Sequence, residues 1–219
     1  MNTIKEIGNM KKTILTVGIL GCMLAGCQNK QQETTAVCAQ QENQVVATIM
    51  ERRSIRKYKP QPVEREKMDL ILKCGINAPN GQNKQSWEVR VVDNPEFMAE
   101  IKEAMAKGHP DMDPEMVKGC FRGAPTMVFI ARAKSYDFSA YDCGLMAENM
   151  VLSAWSMGVG SICLGSPVRF LTDNEACLPI LEKLGFSEDY GLCLCVGFGY
   201  ADEAPAAKPR DWGKVKYVD

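Results

Sequence analysis

An α+β domain is the fold class that this sequence predicts, on three observations. Short alternating or apolar runs of strand character are interspersed with longer amphipathic runs, without the strict strand–helix–strand repetition of a doubly wound sheet. The chain has 219 residues, enough for one domain of ordinary size with a tail. Apolar residues make up 46% and charged residues 24%, the balance of a packed domain and not of a disordered one. The same composition excludes several functions. Lys and Arg number 26 against 27 Asp and Glu, so the net charge of −1 lacks the cationic excess of a nucleic-acid binder. A single histidine, His109, excludes multi-histidine metal sites, and with no GxSxG elbow it argues against a serine hydrolase. His109 sits in a Gly-His-Pro turn and reads as structural or merely exposed.

The first 43 residues read as an address. Lys11 and Lys12 precede an apolar run over residues 13–25 that ends in Leu24-Ala25-Gly26-Cys27. Two cations, about a dozen apolar residues and small residues before a cysteine make a secretory leader, too short for the roughly 20 residues of a membrane span. Leu-Ala-Gly-Cys resembles the bacterial lipobox, which implies that residues 1–26 are removed and that Cys27 carries the lipid. An uncleaved N-terminal anchor is the alternative, and Met10 begins a more ordinary leader than Met1 does. Without residues 1–26, which hold Lys5, Lys11, Lys12 and Glu6, the net charge becomes −3. Residues 27–43, rich in Gln, Asn, Thr and Glu, read as a flexible tether between lipid and domain. The expected location is the cell envelope, outside the cytoplasm, with contact to the membrane through the lipid alone.

The domain proper runs over residues 44–219. Val45, Val46, Ile49 and Met50 have helical spacing and lead into a basic cluster. Pro62 is expected to open a second helix, whose face is Met68, Ile71, Leu72 and Gly75. Residues 87–92 alternate and read as a strand, as do residues 126–131. Residues 95–107 read as a helix, and a shorter helix follows Pro114. The longest helix spans residues 138–157, with a stripe of Leu145, Met146, Asn149, Leu152 and Ser153 and apolar character on several sides. It is expected at the centre of the domain or in a subunit interface. Residues 161–165 and 191–199 read as buried strands.

Three separated segments favour anions and heterocyclic rings. Arg52, Arg53, Ser54 and Arg56 place three guanidinium groups and a hydroxyl at a helix end, and guanidinium forks suit phosphate oxygens. Pro79 and Gly81 stop a helix and begin a loop crowded with Asn80, Gln82, Asn83 and Gln85, whose amides both donate and accept. Lys208-Pro209-Arg210 adds two cations near the C-terminus. Each segment alone also fits an ordinary solvated turn. Gly158-Val159-Gly160-Ser161 lacks the GxGxxG spacing and follows a helix, so a Rossmann reading is rejected.

Taken in order, Arg-Arg-Ser-Ile-Arg-Lys-Tyr, Ala-Pro-Asn-Gly-Gln-Asn-Lys-Gln-Ser-Trp, Gly-Val-Gly-Ser-Ile-Cys-Leu-Gly-Ser and Lys-Pro-Arg resemble the four flavin-contacting segments of the FMN-dependent nitroreductase family. The resemblance covers residues 45–218. It implies a homodimeric three-layer α+β fold, a mostly antiparallel central sheet flanked by helices, with each flavin at the subunit interface. It further implies FMN as cofactor, NAD(P)H as electron donor, and nitroaromatics, quinones or similar small molecules as acceptors in a ping-pong cycle. By the same resemblance Arg52, Arg53 and Ser54, with Lys208 and Arg210, hold the phosphate and ribityl chain, and Arg56 lies near flavin N1 and O2. Pro79, Asn80, Gly81 and Asn83 form the amide loop, and backbone groups of Ile162, Cys163, Leu164 and Gly165 pass the ring. No side chain of the protein is itself catalytic in this reading.

Departures from the family pattern concern Ser86, where proline commonly precedes the tryptophan, and Cys163 and Gly165, which replace larger or acidic residues. A proline at position 86 is accordingly expected to leave FMN in place. An exported domain is separated from cytoplasmic NAD(P)H, which favours a membrane-side or extracellular donor. Alternatives are a flavin- or ligand-binding lipoprotein without turnover, a sister flavin activity such as reductive dehalogenation or heterocycle rearrangement, and a thiol redox protein using Cys193 and Cys195. Of the ten cysteines, the eight other than Cys22 and Cys27 read chiefly as buried free thiols, with a disulfide or a metal or iron–sulfur site as alternatives, since no CxxC occurs, and strand periodicity puts Cys193 and Cys195 on one face.

Overall fold

Asn43 caps the first helix: its side-chain oxygen accepts from Val45 N–H at 3.0 Å and Val46 N–H at 3.3 Å. Residues 43–218 are described by this computed structural model. The expected leader, the lipid-bearing Cys27 and the tether up to residue 42 lie outside the described residues. Helix α1 (Gln44–Glu51) ends where Arg52 turns extended at ψ 136°. Its apolar face points outward: Val45, Val46, Ile49 and Met50 are all exposed, and Thr48 alone is buried. Helix α2 (Arg65–Ile76) starts three residues later than Pro62 suggests. It buries Met68, Ile71 and Gly75.

Four strands, β1 (Trp87–Val92), β2 (Thr126–Ala133), β3 (Gly160–Leu164) and β4 (Tyr190–Gly199), form one sheet in the order β1-β2-β4-β3 with every pair antiparallel. Alternation along β2 separates two cores. Val128 and Ile130 join Val196 and Phe198 beneath α2 and α5 (Ser139–Ser156). Met127, Phe129 and Cys195 face α3 (Pro95–Gly108), α4 (Pro114–Lys118), α6 (Ser166–Thr172) and α7 (Leu178–Leu184). Fully buried side chains such as Phe129 and Met146 each contribute about 1.5–3 kcal/mol by leaving water. The α+β class and the three layers expected from the resemblance are both present.

Sequence and structure differ in four further places. Helix α5 turns Met146, Met150, Val151 and Ala154 to the core, whereas Leu145 of the expected stripe is 45% exposed and Leu152 is half-buried. Helices α6 and α7 were not expected, because seven residues each are too few to display a period. Of the cysteines read as buried, Cys163 is exposed and Cys74 and Cys193 are half-buried, while Cys120, Cys143, Cys177 and Cys195 lie inside. Finally, Cys193 and Cys195 do not share a face. The β2–β4 register shifts between Ile130 and Ala131, so that β4 carries one extra residue there. Cys193 therefore packs on the α5 side and Cys195 in the opposite core. Burial pushes the Cys195 thiol far above its ordinary pKa, whereas a hydrogen bond from Cys143 lowers that of Cys193. The two cannot act as a vicinal redox pair. His109 contacts the Phe170 carbonyl through Nε2 at 3.1 Å and packs edge-on against that ring, in keeping with a structural role.

Candidate functional site

The basic segment after α1 is stitched to the sheet by its main chain. Ile55 N–H donates to the Ser161 carbonyl at 3.0 Å, Ser54 bridges Ser161 in parallel, and Tyr58 bridges Ala201. Ile55 is 1% exposed. A Cβ at Gly160 would lie 2.8 Å from Ile55 Cγ1, so glycine is required where this turn crosses β3. The Glu203 carboxylate accepts from the successive N–H groups of Arg56 and Lys57, which fastens the turn to the segment after β4.

With the backbone so fixed, the side chains divide. Arg53 folds back and donates at 2.8 Å to the carbonyls of Met50 and Arg52, satisfying the end of α1. Arg56 donates to the Ser54 carbonyl at 3.1 Å. The Arg52 side chain makes no hydrogen bond to the described residues and lies near enough to Cys163 to favour its thiolate. Of the three guanidinium groups read together from the sequence, Arg52 is the one presented freely. Behind the turn a cleft of about 300 Å³ is lined by Arg53, Ile55, Trp155, Glu203 and Pro205, among others.

Strand β3 brings the third segment alongside. Ile162 and Leu164 point into the core beneath α3 and α6, so the ring-facing role expected of them falls to their backbone. Cys163 lies on the alternate side and is exposed, yet desolvation around the thiol raises its pKa, Glu148 adds to this, and Arg52 opposes it. Gly165 caps α6 with open space beside its Cα. Ser161 is 1% exposed, and its hydroxyl has no hydrogen-bond partner among the described residues. An unengaged guanidinium, an orphaned hydroxyl beside Ser54 and an open backbone at Gly165 fit a phosphorylated heterocycle along this strand.

The amide loop is held differently. Gln82, Asn83 and Gln85 have φ of 55°, 52° and 49°, the left-handed region that non-glycine residues seldom occupy. Asn80 Oδ1 accepts from Gln85 N–H at 2.9 Å. Asp142 Oδ1 accepts from Gly81 N–H at 3.0 Å, and its Oδ2 accepts from the Ser86 hydroxyl at 2.6 Å. Ser86, where the resemblance leads one to expect proline, is buried and bonded to a buried carboxylate, a contact that proline could not make. Sequence reasoning did not single out Asp142. An acid in the first turn of a helix is ordinarily a dipole partner, and only the tertiary fold buries this one.

Within one chain these parts do not all meet. The amide loop is tied to Asp142 near the start of α5, and the basic turn lies by Trp155 near its end, about 20 Å away at helical rise. Lys208 and Arg210 are exposed, and among the described residues Arg210 hydrogen-bonds only to the nearby carbonyls of Lys208 and Pro209.

Residues 49–200, which include the basic turn, the amide loop and β3, match the Nitroreductase family. The chain belongs to this family. Similar nitroreductase structures include one with bound FMN from Desulfitobacterium hafniense DCB-2, 29% identical with a TM-score of 0.74 over 81% of this chain and 100% of that one. Another, with bound FMN from Bacteroides fragilis NCTC 9343, is 26% identical with a TM-score of 0.73 over 81% and 100%. Among proteins known by sequence, the NADPH-flavin oxidoreductase of Vibrio harveyi is 29% identical over 178 residues, 77% of this chain and 70% of its own length.

Proposed function

We propose that this nitroreductase-family chain is an FMN-dependent oxidoreductase that takes electrons from NAD(P)H and passes them to nitroaromatics, quinones or similar small acceptors. The bound FMN of two similar structures and the name of the Vibrio relative support the cofactor and the donor, against the membrane-side donor suggested by the leader. FMN, when bound, supplies the electron chemistry, so the chain needs no nucleophile or base of its own. One observation carries the reading: among the described residues the Arg52 side chain and the Ser161 hydroxyl have no hydrogen-bond partner, and the turn that holds Arg52 is fixed to Ser161 by its backbone.

In this reading Arg52 and Ser54 bind the phosphate, joined by Lys208 and Arg210 from the tail, while Arg53 supports them by capping α1. Arg56 supplies positive charge near flavin N1, and the backbone from Ile162 to Gly165 passes the ring. Asn83 with its loop reaches the flavin from a second copy of the chain. The 20 Å between loop and turn, and the outward apolar faces of α1 (Val45, Ile49, Met50) and α5 (Tyr141, Leu145), support such a homodimer. The leader and Cys27 support reading it as an envelope lipoprotein; among the described residues no helix is long and apolar enough to cross a membrane.

The test is direct. Purified full chain is expected to be yellow, to bleach with NAD(P)H without oxygen, and to recover colour with a quinone or nitroaromatic. Colourless protein that takes up no FMN from excess refutes the proposal. Mixing Arg52→Ala and Asn83→Ala chains should recover FMN binding that neither has alone, since one site of each mixed dimer is intact; no recovery refutes the shared site.

A further inference from the structure

Asp142 stands out among the buried polar groups because both of its oxygens serve one loop. The side chain is 3% exposed, beneath the sheet-facing side of α5. One oxygen holds the loop where it leaves α2, through Gly81 N–H at 3.0 Å. The other holds it where it enters β1, through the Ser86 hydroxyl at 2.6 Å. Between these two fixings lie the three left-handed residues Gln82, Asn83 and Gln85.

Backbone of that kind persists only where its surroundings over-determine it. Local support comes from Asn80, whose Oδ1 accepts Gln85 N–H, and from the Lys84 N–H donated to the Gly81 carbonyl at 3.0 Å. Gly81 itself cannot move outward as any larger residue, because a Cβ there would collide with the Tyr136 hydroxyl. The Gln82, Asn83 and Gln85 side chains are exposed and make no hydrogen bond to the described residues. The strained backbone is thus stabilised from below, while the amides above it are left for something else to bind.

We infer that Asp142, through Gly81 and Ser86, is the positioning residue that sets the Asn80–Gln85 loop in its ligand-binding shape, with the Ser86 hydroxyl as a second fastening that a proline could not provide. This rests on the reading that the loop meets FMN. The carboxylate touches no ligand; it acts by keeping Asn83 in the left-handed conformation before any ligand arrives, so that binding does not have to order the loop.

The experiment compares full-length Asp142→Asn, Ser86→Ala and Ser86→Thr with wild type and Arg52→Ala. Two quantities are read: amide hydrogen exchange over residues 81–86 in FMN-free protein, and FMN affinity from quenching of its fluorescence. Ser86→Ala should speed exchange in this segment and weaken FMN about tenfold, the worth of one charge-assisted hydrogen bond, with Asp142→Asn at least as severe. Ser86→Thr, which keeps the hydroxyl, should restore both. Arg52→Ala should weaken FMN while exchange over residues 81–86 stays as in wild type. Unchanged exchange and affinity in folded Ser86→Ala overturn the inference, and so does a loosened loop with unchanged FMN affinity. If wild type binds no FMN, the functional reading fails and the binding role fails with it; the exchange data then still report separately whether the carboxylate holds the loop. Should Asp142→Asn not fold, the two Ser86 variants decide the matter.

Discussion

The basic turn and the amide loop are fastened in opposite ways. Main-chain hydrogen bonds to β3 and to the segment after β4 hold the turn, with buried Ile55 packed beneath it, and the Arg52 side chain takes no part in that scaffold. The loop has its own local hydrogen bonds and a main-chain bond from Ala133 N–H to the Ser86 carbonyl, and one buried side chain from α5 is added to these beneath a strained backbone. The difference teaches where substitution is tolerated. An exposed or unbonded side chain of the turn such as Arg52 can change with little effect on folding, because the backbone pairing does not depend on it, whereas buried Ile55 cannot. The loop is less independent, since removing one carboxylate takes a hydrogen bond from each of its ends.

Three substitutions probe that contrast. Asp142→Ala should cost the most, about 3 kcal/mol or more, because it leaves the buried Ser86 hydroxyl and the half-buried Gly81 N–H without partners. For a domain of this size that corresponds to a fall in Tm of about 6–12 °C in a thermal melt. A loss below 1 kcal/mol would show that the loop supports itself. Gly160→Ala should cost about 1–3 kcal/mol, because the new methyl group would overlap Ile55 where the turn crosses β3. Hydrogen exchange should then rise at Ile55 but not over residues 81–86, and the reverse pattern would contradict the independence of the two regions. Arg52→Ala should change stability least, within about 0.5 kcal/mol, as the side chain bonds no described residue. Its FMN affinity should nevertheless fall about 10- to 100-fold by equilibrium titration, the range expected for a lost charged contact. An Arg52→Ala protein with normal flavin affinity would break the phosphate assignment.

Much of the frame was legible before the structure. The alternation of Trp87-Glu88-Val89-Arg90-Val91-Val92 marks β1 to its ends, and Pro95 followed by periodic Met98, Ile101 and Met105 marks α3. The outward face of α1 was not legible, because Val45, Val46, Ile49 and Met50 have the spacing of a core face and nothing local says which partner covers them. The displacement of Cys193 from the face of Cys195 was hidden for a related reason. A bulge is a property of the β2–β4 pairing, not of β4 alone. Within the site, Arg52 and the amide loop were found by residue type and order. Asp142 escaped because its importance is the burial of one carboxylate against a loop some sixty positions away in sequence. The inward turn of Arg53 escaped as well, since the α1 carbonyls that capture it are exposed only once the helix ends there.

The strand order carries a kinetic corollary. None of the three ladders is a hairpin: α3 and α4 separate β1 from β2, α5 and β3 separate β2 from β4, and α6 and α7 separate β3 from β4. Each ladder must therefore close a long segment before its hydrogen bonds repay the lost chain entropy. The central strand β2 can pair with β1, made before it, but its other neighbour β4 comes nearly sixty residues later, and its Met127-Val128-Phe129-Ile130 run remains sticky for that interval. Slow refolding, with aggregation that rises with concentration and falls when β2 is protected, is the behaviour this topology dictates.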